Sequence, residues 1–471
     1  MEYLTKSEIA EIHDTSLKIL DEVGMKWDNE EALKIFDNHG ADVDFHEKIV
    51  KIPPDMVEKS IETTPSECTL YSRNKEYDIP MEDGEINFGP FGYANFVRDP
   101  ETGKRREATA EDLRKLTKLV DTIDDWNFQY LQVTPQDVDP KINYLIAHAI
   151  QLKNSEKHLV AAGTSKRIVE DTVQIAKAIS EDFDERPFLS FDHLTVPPLT
   201  EEKSTSAGLV EAAKRGLPVL VSEGVMAGST SPVTLAGALA QSSAGALGAL
   251  TLVQLINPGT PTLYGSFARI MDMKRGTVSM GGPEWILLKK AWSDLAEFYD
   301  LPNWYGCMLN DAKIVDAQAG YEKALSCLLA SFSKKGLMVQ CATIDQDRMC
   351  DFGNILVNKE ISEAVLRIKR GFEVNENTLA LNVIKDVGPG GSFMSTQHTL
   401  DNYKNIAWEP ELSERGSYED WEKKGEKTLY DKALTESLDR IESHQSPEIP
   451  EEKERKINEI IKEAKEDGEK L

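Results

Sequence analysis

Three groups of residues in this 471-residue chain have side chains that can do chemistry. The first is aromatic: Phe88, Phe91 and Tyr93 lie close together, and Tyr264, Trp304 and Tyr305 follow, with the carboxylate of Glu223 between the two sets. Ring faces with an offset negative charge suit a permanent cation such as a quaternary ammonium. The same rings can equally pack an interior. The second group donates hydrogen bonds and can receive an anionic end: Asn95, His193, Gln340, Gln397 and His398. The last two sit in VGPGGSFMSTQHT, Val387 to Thr399, whose three glycines first suggest a phosphate cradle. No strand and no P-loop lysine accompany those glycines, so the stretch reads as a segment closing over a site. There Gly388 to Gly391 would let backbone approach a ligand, and His398 would be a candidate for a substrate carboxylate. The third group is Cys307, Cys341 and His193, which can in principle converge as zinc ligands. A cysteine nucleophile partnered by His398 or His193 has no local motif behind it.

Positioning these groups requires a scaffold, and the chain has the rhythm of one. Eight short β-branched or aromatic runs occur at 85–97, 126–133, 158–163, 187–193, 218–224, 261–268, 303–309 and 336–342. Helix-period segments separate them, among them Ala110 to Asp121, Lys141 to Lys153, Lys166 to Ile179, Glu202 to Arg215, Ser231 to Ile256, Glu284 to Phe298 and Asp316 to Ser333, and Asn358 to Gly371 follows the last. Eight strands, each followed by a helix, predict an α/β fold of the closed (β/α)8 TIM-barrel type over residues 85–371. A doubly wound sheet could use the same units, but no strand leads through G-x-G-x-x-G into a helix. Residues 1–84 read as an N-terminal helical cap, 372–420 as a barrel-mouth segment carrying the glycine-rich loop, and 421–471 as an acidic helical tail, by composition a solvated one. In a barrel the chemistry sits at the carboxyl ends of the strands, where Phe91, Tyr93, Thr134, Asp192, His193, Glu223, Tyr264, Cys307 and Gln340 fall. The only basic residues near those ends are Arg98 and Arg269, each slightly beyond a strand, which disfavours a phosphorylated substrate.

Composition narrows the partners. Lys+Arg 54 against Asp+Glu 81 gives a net charge of −27, which repels a phosphate backbone and argues against nucleic acid. The first twenty residues read as an amphipathic helix without a signal pattern, so a cytoplasmic protein is expected. Five scattered cysteines without a CxxC pair indicate reduced thiols. Val233 to Ile256 is uncharged and long enough to span a bilayer, but its Ala, Gly, Ser and Gln content predicts a buried helix and no membrane. A homo-oligomer is compatible with all of this.

The stretches MGGPEWILLKKAWSDLAEFYDLPNW, GCMLNDAKIVDAQAGYEKAL and VGPGGSFMSTQHTLDNYKNIAWEPELSERGSYEDW follow one another in order, and in them the chain resembles the trimethylamine methyltransferase superfamily as far as about Trp421. The resemblance implies a (β/α)8 enzyme that moves a methyl group from an amine to the Co(I) of a separate corrinoid protein. That partner carries the corrinoid, so no cofactor and no metal would be bound to this chain. The true trimethylamine enzymes carry pyrrolysine near the end of a late barrel strand. The comparable stretch here, GLMVQCATIDQDRMCDFGN, holds ordinary residues, with Cys341 or Ala342 at the equivalent position. The chain therefore resembles the pyrrolysine-lacking branch, whose substrates are quaternary amines such as glycine betaine, proline betaine, carnitine and γ-butyrobetaine, with glycine betaine the first choice. A quaternary nitrogen is already activated, so no catalytic acid, base or nucleophile is expected and the residues named would only position the substrate. The competing classes are a zinc-dependent barrel methyltransferase or hydrolase and a noncatalytic quaternary-amine-binding protein.

Overall fold

The structure is a computed structural model describing residues 4–468, apart from the side chains of Gln340, Cys341, Asn405 and Asp467. Every one of the eight runs forms a parallel strand: β1 (Ile86–Phe91), β2 (Phe128–Tyr130), β3 (His158–Ala162), β4 (Leu189–Thr195), β5 (Val219–Glu223), β6 (Thr262–Ser266), β7 (Asn303–Cys307) and β8 (Gly336–Cys341). They pair in the order β1-β8-β7-β6-β5-β4-β3-β2. A parallel bridge between Phe88 and Trp126, reinforced by the Asn127 N–H donating to Phe88 O at 3.1 Å, joins the two ends. Helices α1 (Ala110–Asp121), α2 (Asn143–Asn154), α3 (Lys166–Ile179), α4 (Lys203–Lys214), α5 (Leu235–Ile256), α6 (Pro283–Phe298), α7 (Ala317–Ala330) and α8 (Phe352–Lys369) follow the strands in turn. This is the (β/α)8 barrel that the strand count predicts. Its α8 begins six residues before the expected start, because Asp351 caps it by accepting from the Asn354 N–H at 3.1 Å.

Barrel strands are buried on both faces, so their sequences run apolar without alternation, and pairing alone decides which side chains face the axis. Val160, Leu220, Leu263 and Leu337 join Phe91, Phe128, Tyr130 and Trp304 in one apolar cluster. Their neighbours Leu159, Val219, Val221 and Tyr264 pack with the helices in the other. Gly265 faces the axis and makes room for the Trp304 indole: a Cβ there would stand 2.1 Å from Nε1.

Residues 4–63 lie against the flank of the barrel. Helices Lys6–Lys18, Glu30–Asn38 and Pro54–Thr63 lie over α5, and a small sheet of Met25–Trp27, Asp42–Asp44 and Ile49–Lys51 pairs with Thr200–Glu201. The Ser16 hydroxyl donates to Ala240 O at 3.0 Å across this contact. Among the described residues one helix, α5, is apolar and long enough to cross a membrane, and it is thereby buried between barrel and N-terminal helices. At the other terminus, Leu429–Ser443 packs along α8, where Ser437 Oγ donates to Phe352 O at 3.1 Å. Helix Glu451–Gly468 departs from the solvated tail expected of its charge run. Ile457 and Ala464 bury a stripe of it against α3, and Lys453 Nζ donates to Ile179 O at 2.7 Å.

Two small sheets build the rim at the carboxyl ends of the strands. One joins Phe96–Arg98, Arg105–Glu107, Thr343–Ile344 and Met349–Asp351; the other joins Met226–Ala227, Arg269–Asp272 and Thr277–Ser279. From this rim α8 descends the full height of the barrel. Its Lys369 Nζ donates to Gly84 O at 3.0 Å, two residues before β1 begins. The chain therefore leaves α8 at the amino ends of the strands, and residues 372–406 start from that side.

Candidate active site

The centre of the mouth is Asp192, which β4 points toward the axis. Its Oδ2 accepts the Tyr93 hydroxyl at 2.8 Å and the Tyr130 hydroxyl at 2.6 Å, and its Oδ1 accepts the Gly163 N–H at 3.2 Å. Burial raises the Asp192 pKa, against the lowering effect of its donors. Burial and the Asp192 charge together push both tyrosines well above their ordinary range, so they remain donors. Tyr93 holds its phenol there from a left-handed backbone (φ 57°), a conformation that costs a non-glycine residue about 1 kcal/mol. Phe91 stands edge-on to Tyr93 (5.6 Å) and Tyr130 (5.0 Å) and stacks on Phe267 at 4.9 Å, which in turn meets Trp304 at 5.2 Å. Tyr144 adds a ring 6.1 Å from Tyr93. The result is a carboxylate hydrogen-bonded by two phenols, beside a cluster of aromatic rings.

Cations gather on the β5–β6 side of the same mouth. Arg269 opens the rim strand Arg269–Asp272, and its guanidinium lies close to Gly224, beside Leu194 and Phe267. Burial lowers its pKa, and its Nε meets no acceptor among the described residues. Asp347 faces it across the rim. Burial raises this carboxyl to about 7, against the lowering influence of Thr343 and Arg269. Thr343 Oγ1 donates to it at 2.6 Å, and residues 345–347 hold three successive left-handed conformations to place it. Lys289 Nζ donates to Ser266 O and lies 5.4 Å from the Phe267 ring centroid.

The residues chosen from sequence divide by strand face. Phe91, Tyr93 and Trp304 stand on the axis. Phe88, Tyr264 and Tyr305 face the helices: Tyr264 donates to Ser243 Oγ at 2.7 Å and stacks on Trp292, and Tyr305 donates to Ala330 O at 2.9 Å. Glu223 also points outward, into a slot opened by Gly245 of α5, where a Cβ would stand 2.2 Å from its Oε2. It accepts the Leu199 N–H at 3.0 Å, and burial pushes its pKa up to about 8. The carboxylate that faces the axis among the rings is Asp192, not Glu223. His193, one residue past Asp192, is turned out and pairs with Glu201 at 2.8 Å. Cys307 lies against Cys327 in the helical layer, so His193 and Cys307 do not meet as zinc ligands. The side chains of Gln340 and Cys341 lie outside the described residues. Asn95 is exposed on the rim, accepting from Gln136 at 3.2 Å.

Gln397 and His398 are not at the mouth. They begin helix Gln397–Ile406 within the segment that departs from the opposite end of the barrel, where Gln397 donates to Asp401 at 2.7 Å. Tyr130, Tyr144, Phe267 and Asp347 were missed, and Asp192 and Arg269 were noticed only as lying near strand ends. The alternation in FQY, which sets Phe128 and Tyr130 on one face, was a usable signal; the turn chemistry of DQD gave none specific to a ligand.

Comparison with known proteins gives the family and the fold. The chain matches the trimethylamine methyltransferase (MTTB) family over residues 1–469. It is 32% identical over 463 residues to trimethylamine methyltransferase MttB of Desulfitobacterium hafniense (strain DSM 10664 / DCB-2), covering 98% of this chain and 93% of that protein. It is 34% identical over 425 residues to the glycine betaine methyltransferase of Desulfitobacterium hafniense (strain Y51), covering 89% and 88%. The solved monomethylamine methyltransferase MtmB of Methanosarcina barkeri shares the fold at 10% identity, with a TM-score of 0.53 over 94% of each chain. A family model that matches residues 1–469, with relatives 32% and 34% identical over most of the chain, places this barrel in the trimethylamine methyltransferase family, as a methyltransferase.

Proposed function

We propose that this chain takes a methyl group from a quaternary amine, glycine betaine first among them, and passes it to the Co(I) of a separate corrinoid protein. The observation that carries the reading is the Tyr93–Asp192–Tyr130 cluster beside Phe91, with Arg269 on the same mouth. Ring faces and a hydrogen-bonded carboxylate hold the trimethylammonium end, and the guanidinium of Arg269 takes the substrate carboxylate. The carbon–nitrogen bond breaks with its electron pair going to nitrogen, and the Co(I) supplies the pair for the new carbon–cobalt bond. A neutral tertiary amine departs and needs no proton, which fits a mouth built to position and not to protonate. The cationic charge fades in the transition state, so an intimate ion pair would favour the ground state and slow transfer. Two phenols on Asp192 Oδ2 spread that charge and weaken the hold.

The test is to mix the purified protein with a reduced corrinoid protein and glycine betaine, carnitine, proline betaine, γ-butyrobetaine or trimethylamine, and to follow loss of the Co(I) absorbance. A quaternary amine is expected to be the donor. Methylation by trimethylamine alone, or by none of the five, refutes the reading.

A further inference from the structure

Residues 372–406 form an arm with no interior of its own. Its helices, Glu376–Leu379, Leu381–Val387 and Gln397–Ile406, are too short to hold in water by themselves, and none of its described side chains is buried. It nevertheless carries large apolar groups in the open: Phe372 is 86% and Met394 90% exposed, and Val374, Leu381, Leu400 and Ile406 are exposed with them. Six of its 35 residues are charged, well below the 29% of the whole chain. Exposed apolar surface on this scale marks a contact.

A second unpartnered surface lies one helix away. Barrel helices ordinarily turn a charged face to water. The outer face of α7 instead carries Tyr321 (57% exposed), Leu325 (51%), half-buried Ala324 and Leu328, and, just beyond its end, Phe332 (51%). The only charged residues of α7, Glu322 and Lys323, are both buried.

We propose that the arm of one chain docks on the α7 face of a second copy, and that the exchange is reciprocal. Donor and receptor surface are both present on every chain, so two copies satisfy both sets at once in a closed two-fold pair. Low charge on both surfaces fits a contact between two like, strongly acidic molecules, since interface cores are depleted of charge. The position excludes the other obvious occupant: a methyl-accepting protein must reach the carboxyl ends of the strands, whereas the arm leaves α8 at the amino ends. The arm is also a discrete module. Both its ends are pinned by one side chain, Arg367, which donates to Gly371 O at 2.9 Å and to Ile406 O at 3.1 Å.

Sedimentation of the full chain is expected to give a dimer at micromolar concentration. Leu325→Glu, and replacement of 373–405 by a short Gly-Ser linker, are each expected to give a monomer whose circular dichroism retains the barrel. Monomeric wild-type protein, or a dimer that survives both changes, overturns the proposal. A crosslinking experiment is independent of how well those variants fold. Met394→p-benzoylphenylalanine, irradiated in a mixture of isotope-heavy and isotope-light protein, is expected to link heavy to light chains at 317–332. Links confined within one chain, links elsewhere on the second copy, or links to an added corrinoid protein instead would overturn it.

Discussion

Glu223→Gln separates the site the structure builds from the one strand-end position alone suggests. In the folded chain the Glu223 carboxyl is fully buried against Gly245, and its pKa rises from the usual 4.5 to about 8. Between those values the folded state keeps a proton that the unfolded state has lost. The stability this carboxyl confers is therefore complete below pH 4.5 and is lost progressively as pH rises to 8, after which the penalty is constant. A rise from 4.5 to about 8 at about 1.4 kcal/mol per unit is about 5 kcal/mol. Glutamine keeps the acceptor for the Leu199 N–H and cannot ionise. The variant should therefore match wild type near pH 4.5, pull ahead through neutrality and hold a constant lead above pH 8. With an unfolding entropy near 1 kcal/mol/K for a chain of this length, the lead is about 5 °C in Tm. Thermal melts from pH 5 to 9 measure it. Methyl transfer should stay within about twofold of wild type, since the side chain faces α5. Parallel melting curves would refute the buried-acid reasoning, and a tenfold loss of transfer would return Glu223 to the substrate.

Asp192→Asn should weaken calorimetric binding of the quaternary amine about 30-fold, or about 2 kcal/mol, by removing the charge at the ring cage; unchanged affinity would remove Asp192 from the site. Because burial raises the Asp192 pKa, wild-type binding should fall on the acid side at a higher pH than an ordinary carboxylate allows, and this limb should vanish in the asparagine variant. Arg269→Gln should raise KM for a betaine about 30-fold while leaving tetramethylammonium affinity alone, as loss of a charge-assisted hydrogen bond implies; equal effects on both ligands would contradict its role. His398→Ala should leave turnover per site unchanged in the corrinoid assay, its helix lying at the far end of the barrel.

The barrel was legible because β-branched runs and helix-period segments alternate eight times without interruption. Which side chains line the mouth was less so. In SFDHL and LVSEG two polar residues stand side by side, so sequence cannot say whether Asp192 or His193, Ser222 or Glu223, faces the axis; only the register with neighbouring strands does. Tyr93 was legible by contrast, since it lies two residues past Phe91 and alternation sets both on the axis; only its left-handed backbone was not. The misplacement of His398 had a topological cause. A segment after the eighth helix begins at the amino ends of the strands, because an 18-residue helix has carried the chain about 27 Å back down. That rule was available from the element order; the glycine-rich composition of VGPGG drew attention to ligands instead.

The burial of α5 also bears on how the chain is made. A 22-residue uncharged helix is a hazard in any nascent polypeptide, attractive to membranes and to other exposed apolar chains. Here the helices that cover it, Lys6–Lys18, Glu30–Asn38 and Pro54–Thr63, are synthesised more than 150 residues earlier. By the time α5 leaves the ribosome its cover is already outside and waiting. The order of elements along the chain thus acts as a built-in chaperone, shielding the most apolar helix at its birth.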